Sequence, residues 1–238
     1  MEPTGAASAA DCELERIRLA YSRRTNNSLY SMFAPAQMLS LQERERRILR
    51  KLARFGYATE LGKARILDVG CGSGFGLREF LRWGARPENL YGIDLMPDRI
   101  AEARTLCPAK TTLVCQSATE IRDFEGRFDL IVQSTVFTSI LDPAMKRQIA
   151  SEMLRLLSPG GLIIWYDFHV SNPANPDVRG IRRKEIAGLF PGCMIHLEKL
   201  TLAPPIGRRV ARINYTMYGA LSALRVLNTH YLGIIMKA

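Results

Sequence analysis

Leu67-Asp68-Val69-Gly70-Cys71-Gly72-Ser73-Gly74 reads as the end of a buried strand running into a glycine turn. The strand opens at Arg65-Ile66, and its apolar run does not alternate. That is the pattern of a parallel strand covered on both faces. The glycines allow a tight turn and let backbone N–H groups come close to a ligand. A helix follows with Leu77, Phe80 and Leu81 on one face, and the strand–loop–helix unit then repeats. Asn89–Asp94 is a second strand, and Pro97 opens a helix carrying Ile100, Ala103 and Leu106. Thr111–Cys115 and Phe128–Val132 are the third and fourth strands. Asp142-Pro143 pairs an N-cap with a first-turn proline, ahead of Met145, Ile149, Met153, Leu156 and Leu157 at helical spacing. Ser158-Pro159-Gly160-Gly161 stops that helix, and Leu162–Phe168 is the fifth strand. A turn-rich loop over Ser171–Gly180 and a short helix over Arg182–Phe190 come next. A strand over Met194–Leu202 leads to one amphipathic helix marked by Val210, Ile213, Met217, Leu221 and Leu224, and Tyr231–Met236 is the last strand. Strands alternating with helices predict an α/β, doubly wound parallel sheet.

The rest of the chain is organised around this unit. Residues 1–10 read as a disordered leader and 11–60 as a helical extension, broken near Thr25–Asn27 and at Pro35. Leu41, Ile48, Leu49 and Leu52 recur there at helical spacing. Residues 61–238 form the α/β domain. With 238 residues, 47% hydrophobic and 24% charged, the chain is neither a disordered tail nor a disulfide scaffold. Five scattered cysteines without a C-x-x-C fit reduced thiols. The first ten residues have neither a basic nor an apolar signal region, so the expected location is cytoplasmic. The longest charge-free run, Thr25–Gln42, is too polar to cross a membrane. A formal charge of +10 admits anionic partners without choosing among them.

The loop is not a dinucleotide fingerprint. G-x-G-x-x-G fails in both registers, because Phe75 or Leu77 stands at the third glycine position, and no Lys-Ser/Thr pair makes a P-loop. Asp68 precedes the loop, where its charge repels a pyrophosphate and attracts an ammonium such as that of S-adenosylmethionine. Asp94 ends the second strand twenty residues after Gly74, as suits a carboxylate accepting from ribose hydroxyls. Helix capping is the competing role for each acid.

Leu67–Gly74, Gly92-Ile93-Asp94, Phe128-Asp129-Leu130-Ile131 and Leu157–Gly161, in that order, resemble the class I S-adenosylmethionine-dependent methyltransferases from about Ile66 to Lys237. The resemblance implies a Rossmann-like, seven-stranded sheet with an antiparallel last strand and an N-terminal helical lid. It implies a methyltransferase with S-adenosyl-L-methionine held by Asp68, Gly70, Cys71, Gly72, Gly74, Asp94, Leu95, Ser117, Ala118, Gln133 and Tyr21, and no metal. Gln116-Ser117-Ala118 stands where the family often places an acid against the adenine. Ala20–Arg24, with Tyr30, resembles the aromatic-basic lid of small-molecule enzymes; a surface helix is the plain alternative.

The acceptor side lies after the fourth and fifth strands. Gln133, Ser134 and Phe137 follow one, and Tyr166, Asp167 and His169 end the other. His169 titrates near neutrality, and it or Asp167 is the candidate general base for an oxygen nucleophile. The Glu-His pair of many relatives is replaced by Thr135–Ser139, and there is no H-E-x-x-H. Arg182–Lys184 and Arg208–Arg212 suit a phosphate or an anionic lipid surface. Trp165–Phe168, the Asn175–Gly180 loop and Leu202–Pro205 resemble a bacterial subgroup that tailors glycans, glycolipids or secondary metabolites. The expected reaction is therefore methylation of a small-molecule acceptor at an oxygen nucleophile on a glycan, lipid or secondary metabolite, with a phosphate or lipid group among the features that acceptor can carry. An RNA methyltransferase ranks behind it, because no RNA-binding module is appended. A non-catalytic S-adenosylmethionine-binding scaffold ranks behind that, because the acids and glycines are intact.

Overall fold

The computed structural model describes residues 9–23, 31–122, 124 and 126–238. Three helices come first: Ala9–Ser22 (α1), Pro35–Arg54 (α2) and Tyr57–Glu60 (α3). Then follow Ile66–Val69 (β1), Phe75–Arg82 (α4), Leu90–Asp94 (β2), Pro97–Leu106 (α5), Thr112–Cys115 (β3) and Phe128–Ser134 (β4). The second half contains Pro143–Leu156 (α6), Leu157–Phe168 (β5), Arg183–Leu189 (α7) and Cys193–Leu202 (β6). It closes with Pro204–Ile213 (α8), Tyr215–Ala223 (α9) and Asn228–Lys237 (β7).

The seven strands lie in the order β3-β2-β1-β4-β5-β7-β6. β1 pairs in parallel with β2 on one side (Val69 opposite Ile93) and with β4 on the other (Val69 opposite Gln133). β7 runs antiparallel to both β5 and β6. The winding therefore reverses between β1 and β4. Ligands bind in the crevice that opens at the carboxyl ends of the strands at such a point.

Period-two alternation sorts the core. On β5, Ile163 and Trp165 face a layer built from α6, α7 and Ile17 of α1. Leu162, Ile164 and Tyr166 face the opposite layer, built from Ile48 and Leu52 of α2, Leu77 and Phe80 of α4 and Ile100 of α5. The N-terminal helices thus belong to the two outer layers of the sheet. Trp165, fully buried against Phe137 and Phe190, fills the first layer beneath the crevice.

Several expectations shift. Ala9 and Ala10 are helical and so not part of the leader expected over 1–10; residues 1–8 and the break near Thr25–Asn27 lie outside the described residues. Pro35 opens α2 instead of breaking a helix, since a first-turn proline sacrifices no intrahelical hydrogen bond. Leu106 is exposed, as α5 ends there. The single helix expected through Val210–Leu224 is two. Asn214 adopts an extended backbone (φ −157°, ψ 122°), and its side chain accepts from Met217 N at 3.0 Å, capping α9. Among the described residues, no helix is long and apolar enough to cross a membrane.

Asp142 caps α6, accepting from Ala144 N and Met145 N at 3.0 Å each. Asp142→Ala is expected to cost about 1 kcal/mol in urea unfolding, the usual loss of a cap. An unchanged midpoint would contradict the capping role.

Candidate active site

Asp94 joins the loops that follow β1 and β2. Its Oδ2 accepts from Gly72 N at 2.8 Å and its Oδ1 from Met96 N at 2.9 Å. Gly70 N and Cys71 N both donate to Ile93 O, at 2.8 and 2.9 Å, which turns the first loop across the end of β2. Two glycines make this turn possible. Gly70 sits at φ +73°, and a Cβ there would lie 2.5 Å from Val136 Cγ2; Gly72 sits at φ +52° with open space where its Cβ would be. Burial raises the Asp94 carboxyl above its ordinary range, and the Met96 and Gly72 N–H groups oppose it. Asp68 lies just behind. Burial, with Asp94 adding, pushes its carboxyl up to about 7. A Cβ on Gly76 would stand 2.7 Å from Asp68 Oδ2, so only glycine lets α4 start this close to the acid.

In front of these acids is a cavity of about 280 Å³. Gly70, Gly72, Asp94 and Leu95 form one wall, and Gln116, Ser117 and Ala118 continue it. Ser134, Thr135, Val136, Ser139 and Ile140 form the wall at the end of β4, with Met145 and Ile149 of α6. Thr135 is held at φ 57°, a conformation costly for a β-branched residue and concentrated at functional sites. Its N–H donates to Tyr166 O at 2.8 Å.

The roof is α1. Leu14, Ile17 and Tyr21 face the cavity from one side of this helix. Glu13 Oε1 accepts from Leu141 N at 2.5 Å and from Asp142 N at 3.3 Å. Arg16 Nη2 donates to Ser139 O at 2.6 Å, and its guanidinium is bidentate on Glu13. Tyr21 Oη and Ser139 Oγ lie 3.2 Å apart. Against the cost of burial, Arg16 and the two N–H groups hold the Glu13 carboxyl below its ordinary range. α1, where the lid is expected, is thus fastened by a partly buried ion pair. Arg24 and Tyr30 lie outside the described residues.

The structure brings Tyr21, Gly70, Gly72, Asp94, Leu95, Ser117 and Ala118 to one cavity. Asp68, Cys71, Gly74 and Gln133 stand behind its walls. Cys71 Sγ donates to Gly72 O, Gly74 caps α4, and Gln133 Oε1 accepts from Val136 N at 3.3 Å. The two candidate bases do not line it. Asp167, fully buried, accepts from Thr138 Oγ1 at 2.6 Å, Thr138 N at 3.2 Å and Phe168 N at 2.9 Å. It holds the segment after β4 in place. His169 Nε2 is 2.9 Å from Asn228 O, its ring stacks on Tyr231, and burial lowers its pKa. It lines a separate cavity of about 550 Å³ with Arg182, Arg183 and Lys184. β5 ends at Phe168 as read, but alternation puts Asp167 on the buried face with Ile163 and Trp165, and the register with β7 carries His169 past the crevice.

Sequence reasoning missed Leu14, Ile17, Met96, Arg99 and the inner face of α6. Leu14, Ile17 and Tyr21 have the i, i+3, i+7 spacing of one helix face, a signal that was there to be read. Met145 and Ile149 gave none, since a cavity wall and a core stripe have the same pattern. Among the described residues no cluster of three or more His, Cys, Asp or Glu side chains is placed to hold a metal ion.

Residues 66–161 match a family model described as a methyltransferase domain. An uncharacterized methyltransferase of Synechocystis sp. is 32% identical over 111 residues, covering 47% of this chain and 49% of that protein. A fungal O-methyltransferase is 30% identical over 117 residues, covering 43% of this chain and 38% of that one. The chain thus spans about half the length, or less, of these curated relatives. Magnesium protoporphyrin IX methyltransferase from Synechocystis, solved with bound S-adenosylmethionine, superposes with a TM-score of 0.58. It is 15% identical, over 98% of this chain and 100% of that one. That likeness establishes the fold.

Two outcomes are expected. Glu13→Ala removes the fastening of α1, so amide exchange in Ala9–Ser22 should accelerate while β1, β4 and β5 keep their protection. Unchanged protection of α1 would mean that Leu14 and Ile17 hold it alone. Burial pushes Asp167 from an ordinary 3.8 up to about 7. Between those values the folded state binds more protons than the unfolded one, so this group's contribution is full below the lower value and falls as pH rises through the upper. The melting temperature of the wild type minus that of Asp167→Asn should therefore be larger at pH 5 than at pH 8. An equal difference at both would leave the carboxyl ionised throughout.

Proposed function

We propose that this chain, which carries a methyltransferase domain on the class I fold, transfers a methyl group from S-adenosylmethionine to an oxygen atom of a small molecule. One observation carries the reading. Asp94 ties the glycine loop to the wall of a cavity that is roofed by α1 and has polar groups where an adenosyl compound needs them. Two backbone N–H groups occupy part of the Asp94 carboxylate, and its remaining lone pairs suit the ribose hydroxyls. The side-chain amide Nε2 of Gln116 is buried without a partner among the described residues and lies in the wall beside Ser117 and Ala118, which suits an adenine ring. The open side of Gly72 leaves room for the methionyl part. Asp68, and Asp94 with it, make the region attractive to an ammonium and a sulfonium. When bound, the cofactor supplies the activated methyl carbon.

The chain's own residues position, shield and desolvate. Leu14, Ile17, Ile140, Met145 and Ile149 exclude water from the cavity. Tyr21, Ser134 and Ser139 offer hydroxyls to orient an acceptor. Among the described lining residues there is no histidine, lysine or cysteine to serve as a base, and the Asp94 carboxylate is taken up by Gly72 N and Met96 N. The roles expected of His169 and Asp167 are therefore given up. The favoured acceptor is an oxygen that arrives ionised, a carboxylate or an acidic phenol or enol on a lipid, glycan conjugate or secondary metabolite. The O-methyltransferase relative supports oxygen over nitrogen.

Calorimetric titration with S-adenosylmethionine, S-adenosylhomocysteine and NADH tests the reading. The two adenosyl compounds are expected to bind and NADH is not. Asp94→Ala should weaken the adenosyl compounds by about 1.5–3 kcal/mol, roughly the loss of a charged acceptor. Failure of both to bind the wild-type protein would overturn the adenosyl reading of the cavity.

A further inference from the structure

From Lys199 to Ala238 the sequence contains no Asp or Glu, against six Lys and Arg. At 23 acids in 238 residues, forty residues would hold about four. Within this stretch α8 and α9 connect β6 to β7. Their inner side is fixed: Ala211 and Tyr218 cluster with Leu202, and Ala36 and Leu39 of α2 close on them. Ser222 Oγ donates to Glu43 Oε1 at 2.8 Å. Among the described residues, nothing covers the other side. Val226 is 79% exposed, Ile213 76% and Leu224 65%, with Tyr215, Met217 and Leu227 also exposed. Phe33, one turn before Ala36, is 98% exposed. Among the described residues, Arg208, Arg209 and Arg212 form no ion pair with a carboxylate.

So many bare aliphatic tips on one short connection mark an interaction surface. Charge decides the occupant. A second copy, related by a two-fold axis, would set one acid-free face against another. A nucleic acid would use the arginines but gain little from Ile213, Leu224 and Val226, because bases stack on aromatic rings. An anionic bilayer uses both, the aliphatic tips in the headgroup boundary and the guanidiniums on lipid phosphates. We propose that the connection between β6 and β7 docks the protein on an anionic lipid surface, with Ile213, Leu224 and Val226 inserted and Arg208, Arg209 and Arg212 on the phosphates. β6 runs alongside β5 in the same direction, and both end where β7 begins. The docking surface therefore lies at the carboxyl edge of the sheet, the edge that carries the cavity. The proposal does not depend on methyl transfer.

The test is co-sedimentation of the purified full chain with vesicles of phosphatidylcholine alone and of phosphatidylcholine mixed with phosphatidylglycerol. Binding to the mixed vesicles only, weakened by added salt, is expected. Arg209→Ser with Arg212→Ser should lower the partition about 25-fold, fivefold for each charge. Ile213→Ser with Val226→Ser should lower it as well. Both pairs are exposed, so both variants should keep the wild-type melting temperature. Four results would overturn the proposal. They are no binding to mixed vesicles, binding untouched by either double variant, tighter binding to a mixed-sequence RNA oligomer, or a dimer in sedimentation velocity that Ile213→Ser with Val226→Ser dissolves.

Discussion

One carboxylate, that of Asp94, holds together the loops that follow β1 and β2. Gly72 N and Met96 N both donate to it, and with Gly70 N and Cys71 N on Ile93 O the turn after β1 has a single course. A buried carboxylate that accepts backbone N–H groups is costly to leave unsatisfied, so each loop constrains the other. The cavity depends on this constraint. Without it, Gly72 has no reason to leave its side open, and the wall that Leu95 continues has no fixed edge.

The far wall is held by a different economy of polar groups. Asp167 gathers the N–H and hydroxyl of Thr138 below the sheet's edge, and Glu13 gathers the N–H groups of Leu141 and Asp142 a few residues later. Lys146, fully buried, reaches Glu185 at 3.1 Å, and Arg179 shares the same oxygen at 2.7 Å. Removing one member of such a set leaves its partner unpaired in the interior, which costs more than the pair contributes. Residues 137–142 are thereby pinned from both sides, and the roof and the β4 wall of the cavity are parts of one hydrogen-bonded assembly.

The fold was legible because its signals are local. Apolar runs ending in glycine mark β1, and Asp142-Pro143 marks the start of α6; both stand where they were read. That Gly70, Gly72 and Asp94 meet at one cavity was legible for the same reason, since they act through backbone geometry close to their own positions. The acceptor side was not. β5 ends at Phe168, where it was read, but which of its faces meets the cavity and where His169 falls are set by what packs on the sheet and by pairing with β7, more than sixty residues later. Ser139 and Ile140 owe their place to α1, more than a hundred residues earlier. The split at Asn214 was hidden because a side chain that caps one helix and ends another looks, in sequence, like one polar residue in a stripe.

The sheet order has a consequence for biosynthesis. β7 is made after β6 yet stands between β6 and the rest of the sheet. Until Asn228–Lys237 has emerged from the ribosome, β6 has no strand to join and β5 ends the sheet with an open edge. The nascent chain therefore holds two unpaired edges, with α8 and α9 between them, until its last strand closes both in one step. Such edges attract foreign strands. Insertion of this ten-residue strand thus removes the open edge of β5 and joins β6 to the sheet in the same event.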